Sequence, residues 1–285
     1  MANSDIDYIE NELRLTRSKT APWPPLSGHI LNAYTRLETL RTTAPPPPAP
    51  VDVPPVPVGA LLFSDEFTGT TIDTHKWEGK HYRADSGTQW DYLNYAHVDG
   101  AGNLVINAVK SSTGQWFSSF LAGIAANGFS YKGPRYVEAR VKVPSGVGTF
   151  PACPWEWAAP WGAGPIEIDY MEILGKEVTK LHTTVHPWLP AGDHPVGNAT
   201  DAGVDLSLDF HRYGGAVYAN HVDFYLDGRR VWTADLSASG LNDLTSYPVV
   251  PCIDLDMGGS WAGPVDPAMT SASMLVNYFR VWRMA

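Results

Sequence analysis

Over residues 60–285 apolar and polar side chains alternate in short runs, and Gly, Pro, Asn and Asp interrupt those runs every few positions. Val137, Ala139, Val141 and Val143 interleave with Glu138, Arg140 and Lys142, and Leu104, Ile106 and Ala108 keep the same period of two. Successive side chains of a strand point to opposite faces, so this spacing predicts half-buried strands. The stretch VDFYLDGRRVW reads as a hairpin turning at Asp227-Gly228. Helical periodicity is nearly absent. So many short strands predict an all-β fold, a two-sheet β-sandwich of jelly-roll type in preference to a small barrel.

The chain before residue 60 follows another pattern. Ser4 is placed to cap a helix carrying Ile6, Ile9 and Leu13, and Ser27 one carrying Ile30, Leu31, Tyr34, Leu37 and Leu40. Helices this short are marginal alone in water, so residues 1–43 are expected to be a helical docking or oligomerisation segment. Eight prolines between Pro45 and Pro57 predict an extended polyproline II linker over 44–59. The expected order is docking segment 1–43, linker 44–59 and β-sandwich domain 60–285.

Twenty Lys and Arg against thirty Asp and Glu leave a net charge of -10, which repels phosphate backbones and anionic lipid. No nucleic-acid partner is expected. No run approaches the roughly 18 apolar residues that span a bilayer, so no membrane insertion is expected. The opening MANSDIDYIENEL is acidic and without a hydrophobic signal region, so no secretion signal is expected either. Cys153 and Cys252 make neither a disulfide framework nor a metal-finger spacing; they read as two small buried residues, with a single bridge left open. Eleven Trp call for a core or a ligand on which large amphipathic rings stack.

The segment PIEIDYMEIL at 165–174 carries three carboxylates on an otherwise apolar strand. Acids are depleted in strands, and like charges on one face repel. By period two, Glu167 and Asp169 share a face and Glu172 falls on the other. One extra residue between Asp169 and Glu172, a β-bulge, returns Glu172 to their side. Two Glu flanking an Asp on one concave surface suit glycoside hydrolysis with retention, in which carboxyl groups about 5–5.5 Å apart act as nucleophile and acid/base. Their crowding keeps one carboxyl protonated near neutral pH. The plainer reading is an exposed strand that happens to be acidic.

This segment resembles the E-x-D-x-x-E signature of glycoside hydrolase family 16, the group containing laminarinases, agarases, carrageenases and related endoglycanases. LLFSDEFTGTTIDTHKW (61–77), GNLVINA (102–108), YVEARVKVPSGVGTFPA (136–152), HTTVHPW (182–188), DFHRYGGAVYANHVDFYLDG (209–228), MGGSWAGP and LVNYFRVWR resemble further family blocks in the family's order. The resemblance implies Glu167 as nucleophile, Glu172 as acid/base, and Asp169 as the residue that holds the nucleophile's geometry and charge state. It implies His186 beside Asp169 or the substrate, and Trp155, Trp161, Trp188 and Trp261 as stacking platforms for sugar rings, with Trp157 a further candidate. Trp77, Trp232 and Trp282 sit in strand contexts that suit core packing. Departures from the family pattern are Val217 and Phe150 for Trp, Cys153-Pro154 before Trp155, and Asp254 for Asn. Asn277 replaces an Asp that in relatives helps hold a structural calcium with groups such as Glu66 and a carbonyl near Gly102. The missing charge weakens that site, and no metal or other cofactor is expected to be required.

The expected function is therefore a retaining endo-glycoside hydrolase acting on a β-linked polysaccharide of β-glucan or galactan type. The alternative is a non-catalytic carbohydrate-binding or structural virion protein on the same scaffold. Polysaccharide lies outside cells and no export signal is expected, which points to a phage tail or other virion component acting on a host envelope glycan, assembled as a homo-oligomer or larger particle through residues 1–43. His182 and His186 are four apart on a strand without an HExxH helix or a third ligand, which argues against a metal hydrolase.

Overall fold

The structure is a computed structural model that describes residues 53–84, 86–160, 164–190, 192–241 and 243–285. The docking segment 1–43, most of the 44–59 linker and Trp161 lie outside these residues. In chain order the strands are β1 (Val58–Asp65), β2 (Trp77–Gly79), β3 (His81–Arg83), β4 (Gln89–Asp91), β5 (Ala96–Val98), β6 (Leu104–Lys110), β7 (Trp116–Ser118), β8 (Phe120–Gly123), β9 (Arg135–Lys142) and β10 (Thr149–Ala158). They continue with β11 (Ile166–Glu172), β12 (Lys180–Leu189), β13 (Gly192–Asp193), β14 (Val196–Asp201), β15 (His211–Val217), β16 (His221–Leu226), β17 (Arg229–Asp235), β18 (Val249–Met257) and β19 (Ser271–Met284). A one-turn helix, α1 (Gly259–Ala262), follows β18.

Two sheets form the predicted sandwich. One has the order β17-β16-β15-β9-β19-β6-β7-β4-β3, with β1 paired to β19 and β5 to β6. The other has the order β13-β12-β11-β10-β18-β8-β2, with β14 paired to β12. The alternating positions read from the sequence do turn inward: Leu104, Ile106, Ala108, Val137, Ala139 and Val141 are all buried in the core. Trp77 is buried there too, and Trp232 packs against the same cluster, whereas Trp282 packs on the outer side with Tyr136 and Tyr225. The β16–β17 hairpin pairs Leu226 with Arg229, and Asp227 and Gly228 between them have φ of 51° and 77°, the left-handed pair that an Asp-Gly turn supplies. Cys153 and Cys252 are buried and free.

Glu138 departs from the simple alternation, for its outward position predicts exposure and it is buried. The outer face of its sheet is covered at this point by Tyr136, Tyr225 and Trp282 with Val56 and Val58. Its carboxylate accepts from the Tyr136 and Tyr278 hydroxyls at 2.8 and 2.7 Å, and Arg212 Nη1 lies 3.8 Å away. Buried acids are tolerated only when satisfied in this way.

A second buried acid links the two sheets directly behind the acidic strand. Glu156 of β10 receives the Arg135 guanidinium of β9, with Nε at 2.9 Å and Nη2 at 2.6 Å, and the Tyr170 hydroxyl of β11 at 2.7 Å. Both charged side chains are fully buried. Such a pair adds little net stability over an apolar substitute, yet losing one partner strands the other charge in a dry core. Glu156→Gln should therefore cost about 3–5 kcal/mol in denaturant unfolding, and joint replacement of Arg135 and Glu156 by Met and Leu should recover most of that loss. A loss below about 1 kcal/mol for Glu156→Gln would show that water reaches the pair.

Candidate active site

The acidic strand is bulged where the sequence predicts. On the β12 side Asp169 faces Thr184 and Glu172 faces His182, so three steps along β11 span two along β12. The irregularity is shared by a second strand. Ala152 and Trp155 of β10 face Asp254 and Cys252 of β18, again three steps against two, while β10 and β11 stay in step with each other. The extra residues thus lie side by side, Cys153-Pro154 next to Tyr170-Met171. Pro154 lacks an N–H for the ladder, which makes this the point where β10 yields most easily.

The shared bulge places Glu167, Asp169 and Glu172 on the open face, with Ile166, Ile168 and Ile173 turned into the core. Trp157, Trp155 and Ala152 stand opposite the three acids on β10, and His186, Thr184 and His182 on β12. The Trp188 indole N–H donates to Glu167 Oε2 at 2.9 Å, and its ring stacks on His186 at 5.5 Å. His186 Nε2 lies 3.4 Å from Asp169 Oδ2, and its Nδ1 lies 2.6 Å from Asp193 Oδ2. Next to Glu172 a cleft of about 600 Å³ is lined by Phe150, His182, Thr184, His186 and Trp261. Trp261 on α1 is 42% exposed; it meets Phe150 and His182 edge-on, and the Lys176 ammonium holds its carbonyl.

Burial dominates the electrostatics of these acids. It pushes Glu172 up to about 8, with the Glu167 charge adding to it. It pushes Glu167 up to about 7, opposed by His186 and by the Trp188 N–H. Asp169, 3% exposed, is driven well above the usual carboxylate range by burial and then by Glu167 and Glu172. Asp254 on β18 is raised by burial and by Asp256, and the Trp155 indole opposes that rise. A cluster of this kind shares protons at neutral pH, which is the condition for one carboxyl to donate while another attacks.

The structure therefore brings Glu167, Asp169, Glu172, His186, Trp188 and Trp261 together. Trp155 differs from its expected role as an open platform: at 8% exposure, packed on Phe120 at 5.2 Å and against Trp157, it forms the wall of the site. Trp188 is a hydrogen-bond donor to Glu167 as well as an exposed ring. Sequence reasoning passed over Asp193 and Asp256, and weighed His182 only as a metal ligand. Asp256 had a signal in the alternation of CIDLDM, which puts it on the face of Asp254; Asp193 had none, because its partner is chosen by a hairpin.

The residues at the suspected calcium position do not fit a cation. Asn277 Nδ2 donates to the Gly102 carbonyl at 2.8 Å, Arg140 Nη1 lies 3.3 Å from Asn277 Oδ1, and the Glu66 carboxylate is held at both oxygens by Arg280 at 2.8 and 2.7 Å. The oxygens a calcium would take already accept from amide and guanidinium groups.

The profile of glycosyl hydrolases family 16 matches residues 83–280. The chain is 26% identical over 264 residues to glucan endo-1,3-beta-glucosidase A1 of Niallia circulans, covering 78% of this chain and 38% of that one. It is 29% identical over 241 residues to keratan-sulfate endo-1,4-beta-galactosidase of Sphingobacterium multivorum, covering 79% and 55%. The chain thus spans well under two thirds of either relative. The solved endo-beta-1,3-glucanase from Pyrococcus furiosus superposes with a TM-score of 0.68 at 25% identity, covering 82% of this chain and 99% of that one.

Two expectations follow from this geometry. A carboxyl raised by burial stabilises the fold only while protonated, so Glu172 adds a penalty that grows as the pH climbs from its ordinary value toward about 8. Glu172→Gln should match the parent near pH 4 and be more stable by about 1–3 kcal/mol near pH 9 in thermal melts; a pH-independent difference would contradict the burial. Trp261→Ala should weaken glycan binding by about 1–3 kcal/mol with the melting temperature unchanged, and the reverse result would make Trp261 a packing residue.

Proposed function

Because the chain belongs to glycosyl hydrolases family 16, we propose that it is a retaining endo-hydrolase of an uncharged β-linked polysaccharide of glucan or galactan type. The observation that carries this reading is the shared bulge, which sets Glu167 and Glu172 on one face with Asp169 between them. Glu167 attacks the anomeric carbon. With one of its oxygens held by Trp188, the other is left to form the bond. Glu172, raised by burial and by the Glu167 charge, carries the proton and gives it to the departing glycosidic oxygen.

The return half of the reaction follows from the same electrostatics. Once Glu167 is esterified to the sugar its charge is gone, and with it one cause of the high affinity of Glu172 for a proton. Glu172 then takes a proton from water, which attacks the ester and releases the product with its original anomeric configuration. Asp169, crowded between them and 3.4 Å from His186, keeps the nucleophile's surroundings fixed. Asp254 and Asp256 extend the carboxyl-lined face across β18, and both are buried. Among the described residues no Lys or Arg forms a salt bridge with Glu167, Asp169 or Glu172, so a sulfate or uronate brought against that buried face would lose its hydration without gaining a cation there, which supports an uncharged substrate. Action in a phage tail or other virion, and assembly through residues 1–43, stay expectations of the sequence alone.

The test is a reducing-sugar assay of the purified chain on laminarin, mixed-linkage glucan, galactan and agar, with proton NMR of the first product. The β-anomer should appear first, and Glu167→Gln should lower kcat by about 1000-fold or more while glycan binding persists. An α-anomer as first product, or full activity in that variant, would overturn the mechanism. Glycan binding without turnover in the parent chain would establish the non-catalytic reading instead.

A further inference from the structure

His186 is held between two carboxylates that belong to different parts of the fold. Asp169 comes from β11, and Asp193 from the two-residue strand β13, which folds back on the end of β12 with Trp188 facing Asp193 and Leu189 facing Gly192. His186 and Trp188 share a face of β12, so Asp193, opposite Trp188, is the diagonal neighbour of His186. The turn between the strands ends at Gly192, whose φ of 116° suits a residue without a side chain. Glu167 faces His186 directly across the β11–β12 ladder, and the stacked Trp188 ring covers its flat side.

The chemistry of the contacts decides how the ring is used. An ionised Asp193 only accepts, and its Oδ2 lies 2.6 Å from His186 Nδ1, so Nδ1 carries a proton. Nε2 is therefore the nitrogen that meets the active-site acids. It lies 3.4 Å from Asp169 Oδ2, which is buried and has no hydrogen-bond partner among the described residues. Burial raises the proton affinity of Asp169, and a protonated carboxyl there gains a hydrogen bond when Oδ2–H donates to the bare Nε2, a contact of the kind that tightens when substrate closes the site. Rotation of the ring about its χ angles would take Nε2 away from that oxygen.

We propose that Asp193 is a positioning residue: by accepting the Nδ1–H hydrogen bond of His186 it directs Nε2 at Asp169 and holds the carboxyl cluster in its working arrangement. The hairpin β12–β13 thereby becomes part of the catalytic apparatus, although no atom of it need touch the reacting bond. The kinetic consequence rests on the hydrolase reading given above; the state of the His186 ring does not.

Nitrogen-15 NMR of the imidazole provides the test that needs no turnover. In the full-length chain the His186 Nδ1 should show the shift of a protonated nitrogen, and in Asp193→Ala the ring should move to the ordinary population in which Nε2 carries the proton. Asp193→Glu should restore the original signature. On a glycan that the parent hydrolyses, Asp193→Ala should lower kcat by about 10–100-fold with KM within about twofold, Asp193→Glu should regain most of the loss, and Asp193→Ala joined to His186→Ala should be no slower than His186→Ala alone. An unchanged ring signature in Asp193→Ala would overturn the proposal, as would additive losses in the double variant. A fall in melting temperature that Asp193→Glu repairs without restoring the ring signature would likewise reduce Asp193 to a hairpin residue. Should the parent chain hydrolyse nothing, the hydrolase reading fails while the ring signature still decides the role of Asp193.

Discussion

Strands β10 and β11 each carry one residue more than the strands that flank them, and the active face exists because those two extra residues lie side by side. A strand's side-chain period of two leaves no other way to put Glu172 beside Glu167 and Asp169. In an unbulged strand Glu172 would point between the sheets, on the side of Ile168 and Tyr170, where an unpaired carboxylate costs several kcal/mol. The fold and the chemistry therefore depend on the same local departure from regular pairing. Its sharing by two strands explains how the sheet absorbs it: β10 and β11 remain in register with each other, and the mismatch is passed to β12 and β18.

The same pair of strands carries acids on both faces, and the difference in their surroundings separates architecture from reactivity. Glu156 points inward and is fully satisfied by Arg135 and Tyr170, which ties the two sheets together. Glu167, Asp169 and Glu172 point outward and meet no Lys or Arg within salt-bridge distance among the described residues. Burial without a cation raises their proton affinity, and a set of carboxyls that hold protons unequally is what acid and nucleophile roles require. Among the described residues His186 is the basic side chain that meets the cluster within salt-bridge distance, and its other nitrogen is occupied by Asp193.

Elsewhere hydrogen-bond donors tie the last strand to earlier loops. Arg280 on Glu66, and Asn277 on the Gly102 carbonyl, join β19 to the loops after β1 and before β6. Glu138, pinned by two tyrosine hydroxyls under the N-terminal end of the described chain, is held in the same way on the outer face.

Much of this was legible in the chain itself. The period-two runs around Val137 and Leu104 determined the inward faces, Asp227-Gly228 determined a hairpin turn, and the spacing of Glu167, Asp169 and Glu172 demanded a bulge, because these are local consequences of backbone geometry and side-chain size. What distance along the chain cannot encode is which strands become neighbours. That Trp155 would form a wall on Phe120 and not an open platform, that β10 would share the bulge, and that Asp193 would close on His186 were decided only when the sheets formed. Those contacts join residues whose separation carries no periodic signal, and only the pairing and packing of the strands brings them within reach.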